Sequence, residues 1–163
     1  MDEVVAVIEI PRGSRNKYEA DHETGAIWLD RMLFTSVQYP TDYGYVPETL
    51  AADGDPIDVM VLLDEPTFPG CRIRSRVIGV LHMEDEKGQD DKLLAVVATD
   101  PRVARIRSID DVEEAVLDEI AHFFEVYKAL EPGKASAVGH WADATRAREL
   151  LLEAQEAYSG SKG

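Results

Sequence analysis

The chain has one cysteine, Cys71, in 163 residues, so it can form no internal disulfide and carries no sign of an oxidising compartment. It has no apolar run approaching the roughly 18 residues of a membrane span. Its start, Met1-Asp2-Glu3-Val4, has neither a basic stretch nor an apolar leader segment, so a cytoplasmic location is expected. Basic residues are scarce. Lys and Arg number 17 against 32 Asp and Glu, for a net charge of −15. A passive nucleic-acid binder needs a basic face for the phosphates, and an anionic membrane surface needs the same, so both partners are disfavoured. A phosphate-bearing substrate stays open, because bound metal ions can invert a local field. There is no glycine-rich phosphate loop, no dinucleotide fingerprint, no repeat and no low-complexity tract.

What is present is acid, and it is clustered. Asp53-Gly54-Asp55-Pro56-Ile57-Asp58-Val59 sets three carboxylates close together between apolar segments. Two ionised carboxylates about 4 Å apart repel by roughly 4 kcal/mol at the effective dielectric of a protein surface. Folding them onto one turn calls for a cation among them, and their oxygens are hard ligands suited to Mg²⁺, Mn²⁺ or Ca²⁺. An EF-hand is excluded, since Ile57 stands at the fifth position and Asp58 at the sixth, where that loop needs an oxygen ligand and a glycine. A phosphatase-type aspartyl nucleophile would need a doubly wound sheet, and the element pattern lacks one. A second cluster, Glu84 to Lys92, reads equally as a charged hairpin around Gly88 or as more of the same site. Glu9, amid Val5, Val7, Ile8 and Ile10, must face solvent or a partner.

The first two-thirds of the chain reads as strands over 4–10, 27–33, 57–63, 73–83 and 93–98, separated by Gly, Pro and Asp. Arg72, Arg74 and Arg76 give one of them a polar face. The period then changes. Val112, Val116, Ile120, Phe123, Phe124 and Tyr127 lie at helical spacing, predicting a helix from Ser108 to Leu130, capped by Asp110 with Glu113 and ended by Pro132-Gly133. A second helix is expected from Asp143 to about Tyr158, with Ala147, Leu150, Leu151 and Ala154 inward. That makes one domain over residues 1–158 and a flexible tail over 159–163. Strands first and helices last predict an α+β fold with a small barrel or curled sheet.

Cations and phenols accompany the acids: Lys17, Arg31, Tyr43, Tyr127 and Lys128 among them. Such groups are the expected donors to phosphoryl oxygens. His22, His82, His122 and His140 are scattered, and His122 beside Phe123 reads as helix packing. Neither Cys71 nor any serine stands in a nucleophile's context, so covalent catalysis is not expected.

With these residues assembled, the chain resembles the bacterial family I soluble inorganic pyrophosphatases. The resemblance is carried by the Asp53–Val59 segment, by Ile8-Glu9-Ile10-Pro11, Asn16-Lys17-Tyr18-Glu19 and Leu29-Asp30-Arg31, and by Tyr39-Pro40-Thr41-Asp42-Tyr43-Gly44-Tyr45. It continues through Asp85 to Lys92, Ile120 to Phe124, Tyr127-Lys128 and Glu131-Pro132-Gly133-Lys134. It implies an OB-like five-stranded β-barrel flanked by two main helices, assembly as a homohexamer, and hydrolysis of pyrophosphate with several Mg²⁺ ions per subunit. By the same resemblance Asp53, Asp58, Asp85 and Asp90 hold metals, with Glu9 and Glu19 supporting them. Lys17, Arg31, Tyr43, Lys92, Tyr127 and Lys128 grip the phosphoryl groups. Asp55 is the first choice of general base and Asp90 its rival. One stretch departs from the family: Ala135 to Trp141 lacks the bulky aromatic and the lysine common after Gly-Lys. Two other classes stay open, a non-catalytic metal-binding module and an oligonucleotide-binding barrel.

Overall fold

Val4, Val5, Val7 and Ile8 favour extended backbone, and with their neighbours they form β1 (Glu3–Ile10). In the computed structural model, which describes residues 3–162, eight further strands and two α-helices follow. They are β2 (Asn16–Ala20), β3 (Ile27–Met32), β4 (Asp42–Tyr45), β5 (Asp58–Leu62), β6 (Arg72–Asp85), β7 (Gly88–Gln89), β8 (Lys92–Val97), α1 (Glu114–Val126), β9 (Ser136–Ala142) and α2 (Ala144–Lys162). The reading made at Met1-Asp2 and the last tail residue, Gly163, lie outside the described residues.

Strands β1, β4, β5, β8 and β6 hydrogen-bond in that order, and β6 returns to β1, closing a five-stranded OB-like barrel. Among the described residues only β5 and β8 pair in parallel. β7 and β9 extend β6, while β2 and β3 form a separate hairpin. The fold class is the expected α+β barrel with both helices in the C-terminal half. β2, β4, β7 and β9 are additions to the five strands expected from the sequence.

Alternation along the strands sorts the core into two layers. Val59 and Val61 of β5 and Leu93 and Ala95 of β8 pack with Ala147, Leu150, Leu151 and Ala154 of α2. Their neighbours Met60, Leu94 and Val96 pack with Ile120, Phe123, Phe124 and Tyr127 of α1. Strands β1 and β4 approach so closely that a Cβ on Gly44 would lie 1.8 Å from the Val7 carbonyl oxygen.

Three expectations are corrected. The helix expected from Ser108 to Leu130 is interrupted. A 3-10 turn over Ile109–Asp111 precedes α1, and Asp111 Oδ2, not Asp110 or Glu113, accepts the N–H groups of Arg107 (2.9 Å) and Ser108 (3.1 Å). α1 ends at Val126, and turns carry the chain on to Pro132-Gly133. α2 starts as expected after Asp143, whose Oδ1 accepts from Arg146 N at 3.0 Å, but it runs past Tyr158 to Lys162. There Lys162 Nζ lies 4.7 Å from the Tyr158 ring centroid and Ser161 Oγ donates to the Tyr158 carbonyl. Residues 159–162 therefore have helical backbone. Arg76 does not share a polar face with Arg72 and Arg74. It is buried and donates to the carbonyls of Val103 and Ile106, both at 2.8 Å.

Candidate active site

The register of three strands builds the centre of the site. Tyr45 of β4 pairs with Asp58 of β5, and Asp58 pairs with Lys92 at the start of β8. Asp90 lies two residues before Lys92 and so faces the same way. The acidic turn rises just ahead of β5. Gly54 there adopts φ 90°, a left-handed conformation natural to glycine. Asp53 Oδ1 accepts the Asp55 N–H at 3.0 Å, and Asp55 O accepts the Ala51 N–H at 2.7 Å. Thr49 Oγ1 accepts the Ile57 N–H at 3.0 Å, tying the turn to the barrel.

Lys92 is the pivot. Its side chain is 2% exposed, and Nζ donates to Tyr43 Oη (2.7 Å), Asp58 Oδ2 (3.0 Å) and Asp90 Oδ2 (3.1 Å). The rings of Tyr43 and Phe124 lie 5.0 and 5.1 Å from Nζ. Burial pulls the ammonium's pKa down, but Asp58 and its other neighbours outweigh that and hold it well above the ordinary lysine value. The acids are strained in the opposite sense. Burial raises the pKa of Asp90 and of Asp53 above the ordinary aspartate value, and lifts Glu9 to about 7 against the backbone N–H of Ala20. Burial likewise pushes the phenols of Tyr43 and Tyr127 up, keeping them neutral donors.

Around this centre, cations are held by acids. Lys128 Nζ lies 3.6 Å from Asp85 Oδ2 and 3.4 Å from Glu86 Oε1. Lys17 pairs with Glu19 at 2.6 Å, and Arg31 contacts Asp30 and reaches Glu131 Oε1 at 2.9 Å. Burial opposes the charge on Arg31, yet Glu131 and Asp30 raise its pKa on balance.

Every site residue singled out in the sequence lines one cleft of about 430 Å³: Glu9, Lys17, Glu19, Arg31, Tyr43, Asp53, Asp55, Asp58, Asp85, Asp90, Lys92, Tyr127 and Lys128. The structure adds Asp30, Glu86 and Lys134, and places His22 in the wall with its ring 4.5 Å from that of Tyr45. Glu131 was missed as a partner for Arg31. It stood in the Glu131–Lys134 motif, but nothing in that spacing says that it meets a strand residue 100 positions earlier. His122 is exposed on α1 rather than packed, and it lies away from the cleft.

Carboxylates outnumber cationic groups along the walls, so a polyanion meets net repulsion there unless cations join it. Among the described residues no three carboxylate, imidazole or thiol groups are already gathered as a metal would hold them. The donor set nevertheless suits a hard divalent cation: oxygen ligands, crowded acids, and a lysine ammonium already seated between two of them.

Fold and site together define an OB-like barrel with a polar, acid-rich cleft. The family model described as inorganic pyrophosphatase matches residues 6–159. The chain is 58% identical over 156 residues to an inorganic pyrophosphatase of Streptomyces coelicolor, covering 96% of each. Among solved structures, the inorganic pyrophosphatase of Thermus thermophilus superposes with a TM-score of 0.95 at 51% identity, over 98% of this chain and 92% of that one. That of Helicobacter pylori gives 0.95 at 44% identity, over 98% and 95%. The chain belongs to the inorganic pyrophosphatase family.

Proposed function

We propose that this protein hydrolyses inorganic pyrophosphate to two orthophosphates by direct attack of water, without a covalent intermediate. The observation that carries the reading is Lys92, a buried ammonium held between Asp58 and Asp90 at the floor of an acid-rich cleft. Family membership supports it.

Asp53, Asp58, Asp85 and Asp90 are the residues that would hold Mg²⁺, with Glu9 and Glu19 behind them. Magnesium there would supply the positive charge that a polyanion needs and lower the pKa of the attacking water. Mn²⁺ satisfies the same oxygen ligands. Lys17, Arg31, Lys92 and Lys128 bind the phosphoryl oxygens, and Tyr43 and Tyr127 donate to them. Asp55 takes the proton as water attacks phosphorus and the bond to the leaving phosphate breaks. Among the described residues its carboxylate has no hydrogen-bond or ion-pair partner, whereas that of Asp90 is engaged by Lys92. Asp55 is thus the freer acceptor. The cations then balance the charge left on the departing phosphate, so positioning and electrostatics supply the catalysis.

The reading includes the cytoplasm as compartment, consistent with a lone cysteine, and a hexamer of identical subunits. Trp28, Leu29, Met32 and Phe34 are exposed on and beside the β2–β3 hairpin, where a second copy would cover them. Light scattering tests the assembly, with six subunits as the expected mass. For the chemistry, Asp55→Asn and Asp58→Asn are each expected to lower turnover at least about 100-fold with an unchanged circular dichroism spectrum. Near-normal rates in both would remove the acidic turn from the mechanism.

A further inference from the structure

Behind the short run of Asp90 and Asp91 that leads into β8 lies a polar cluster to which the reaction gives no role. Asp91 lies off the cleft that its two neighbours line. Its side chain is only 8% exposed, and a carboxylate so placed needs partners. It has two: His82 Nδ1 at 3.0 Å from Oδ1, and Gln89 Nε2 at 2.5 Å from Oδ2. A carboxylate accepts, so Nδ1 of His82 carries the proton.

His82 sits on β6 one residue beyond Leu81, which pairs with Lys92 across the sheet. On its other side the His140 ring of β9 packs at 4.9 Å between centroids. β9 passes so near that a Cβ on Gly139 would lie 2.9 Å from the His82 carbonyl oxygen. His140 and Gly139 belong to the stretch that departs from the family pattern, which thus backs His82.

We propose that His82, acting through Asp91, is a positioning residue for Asp90. This rests on the pyrophosphatase reading. Asp91 anchors the short run between β7 and β8 from behind. If that anchor is lost, the peptide carrying Asp90 turns, while Lys92 stays paired with Asp58 and Leu81 in the sheet. Among the described residues Asp90 is otherwise held by its backbone bond to the Met83 carbonyl and by its side-chain contacts with Lys92 and Asp58. Neither His82 nor Asp91 touches substrate; their effect is on the aim of the Asp90 carboxylate.

The test compares wild type with His82→Ala, His82→Asn, Asp91→Ala and the His82→Ala/Asp91→Ala pair in the full-length protein. Groups that orient ligands from behind typically cost about tenfold when removed. His82→Ala is therefore expected to lower kcat about tenfold, with KM for pyrophosphate held within about twofold. His82→Asn, which keeps a donor at the place of Nδ1, restores most of the rate. The pair loses no more than the worse single variant, because both act through one bond. A readout independent of turnover is the imidazole Nδ1–H resonance of His82 in metal-free protein, expected to be present and lost in Asp91→Ala. Wild-type kinetics in His82→Ala, a loss that His82→Asn does not recover, additive losses, or no such resonance would each overturn the proposal. If wild type itself releases no orthophosphate, the pyrophosphatase reading has failed and the proposal falls with it. If wild type is active and the variants match it, only the proposal has failed.

Discussion

An ammonium at 2% exposure survives only where acids surround it, and Lys92 has Asp58 and Asp90 within 3.1 Å. The same reasoning applies to Arg31, 17% exposed, and Glu131, 4% exposed, which join β3 to the turn after α1. Among the described residues Glu131 Oε2 is buried with no hydrogen-bond partner, while its Oε1 meets Arg31. Removing one member of a buried pair leaves the other charge unmatched. Glu131→Gln is expected to cost on the order of 3 kcal/mol of stability and to raise KM for pyrophosphate, as denaturant titration and steady-state kinetics would register. A stability loss with KM unchanged would make the pair purely structural. Asp53, Asp55 and Asp58 were legible in the sequence because three acids in one turn are costly unless used. Glu131 was not legible, because its partner is defined only by a long-range contact.

At the scale of elements, the pattern of apolar residues carried most of the architecture. Ile73 to Met83 and Leu93 to Ala98 form the strands expected, and Ala147, Leu150, Leu151 and Ala154 face inward on α2. β2 and β4 were illegible because Lys17, Tyr18, Glu19, Tyr43 and Tyr45 line the cleft and the buried Asp42 accepts from the N–H groups of Arg12 and Thr67, which leaves no apolar period to read. Arg76 was misread for a related reason. Alternation placed it with Arg72 and Arg74, but the carbonyls of Val103 and Ile106 accept from its Nη2 inside. Gly44 tests the closeness of β1 and β4. Gly44→Ala would set a methyl 1.8 Å from a backbone oxygen, which a rotamer change cannot relieve. The barrel would have to open there, at a cost of several kcal/mol, roughly 3 or more. Thermal unfolding should show a fall in Tm well beyond that of an ordinary surface substitution; an unchanged Tm would contradict the strand packing.

For the whole molecule, a net charge of −15 combines with buried acids that are reluctant to ionise. Glu9 has a folded pKa of about 7 against an ordinary value of 4.5, raised by burial. A carboxyl raised in this way favours the fold while protonated. Its contribution is complete below about pH 4.5 and is lost as pH rises through about 7. Asp53 and Asp90 are raised in the same direction. Metal-free protein should therefore be more stable at pH 6 than at pH 8, by about 1 kcal/mol from Glu9 alone. Mg²⁺ should reduce or reverse that trend by favouring the ionised acids. Chemical denaturation at both pH values, with Mg²⁺ and with chelator, reads this directly; equal stability in the metal-free arms would contradict the strain assigned to the cleft.

The central claim is that the acids, cations and phenols of this cleft, joined by Mg²⁺, hydrolyse pyrophosphate. Orthophosphate release by the purified protein, with Mg²⁺ and with excess chelator, tests it most directly. The account predicts rapid release with Mg²⁺, abolished by chelator and restored when Mg²⁺ is returned. Folded protein that releases no orthophosphate with Mg²⁺, or that releases it equally in chelator, would contradict the account.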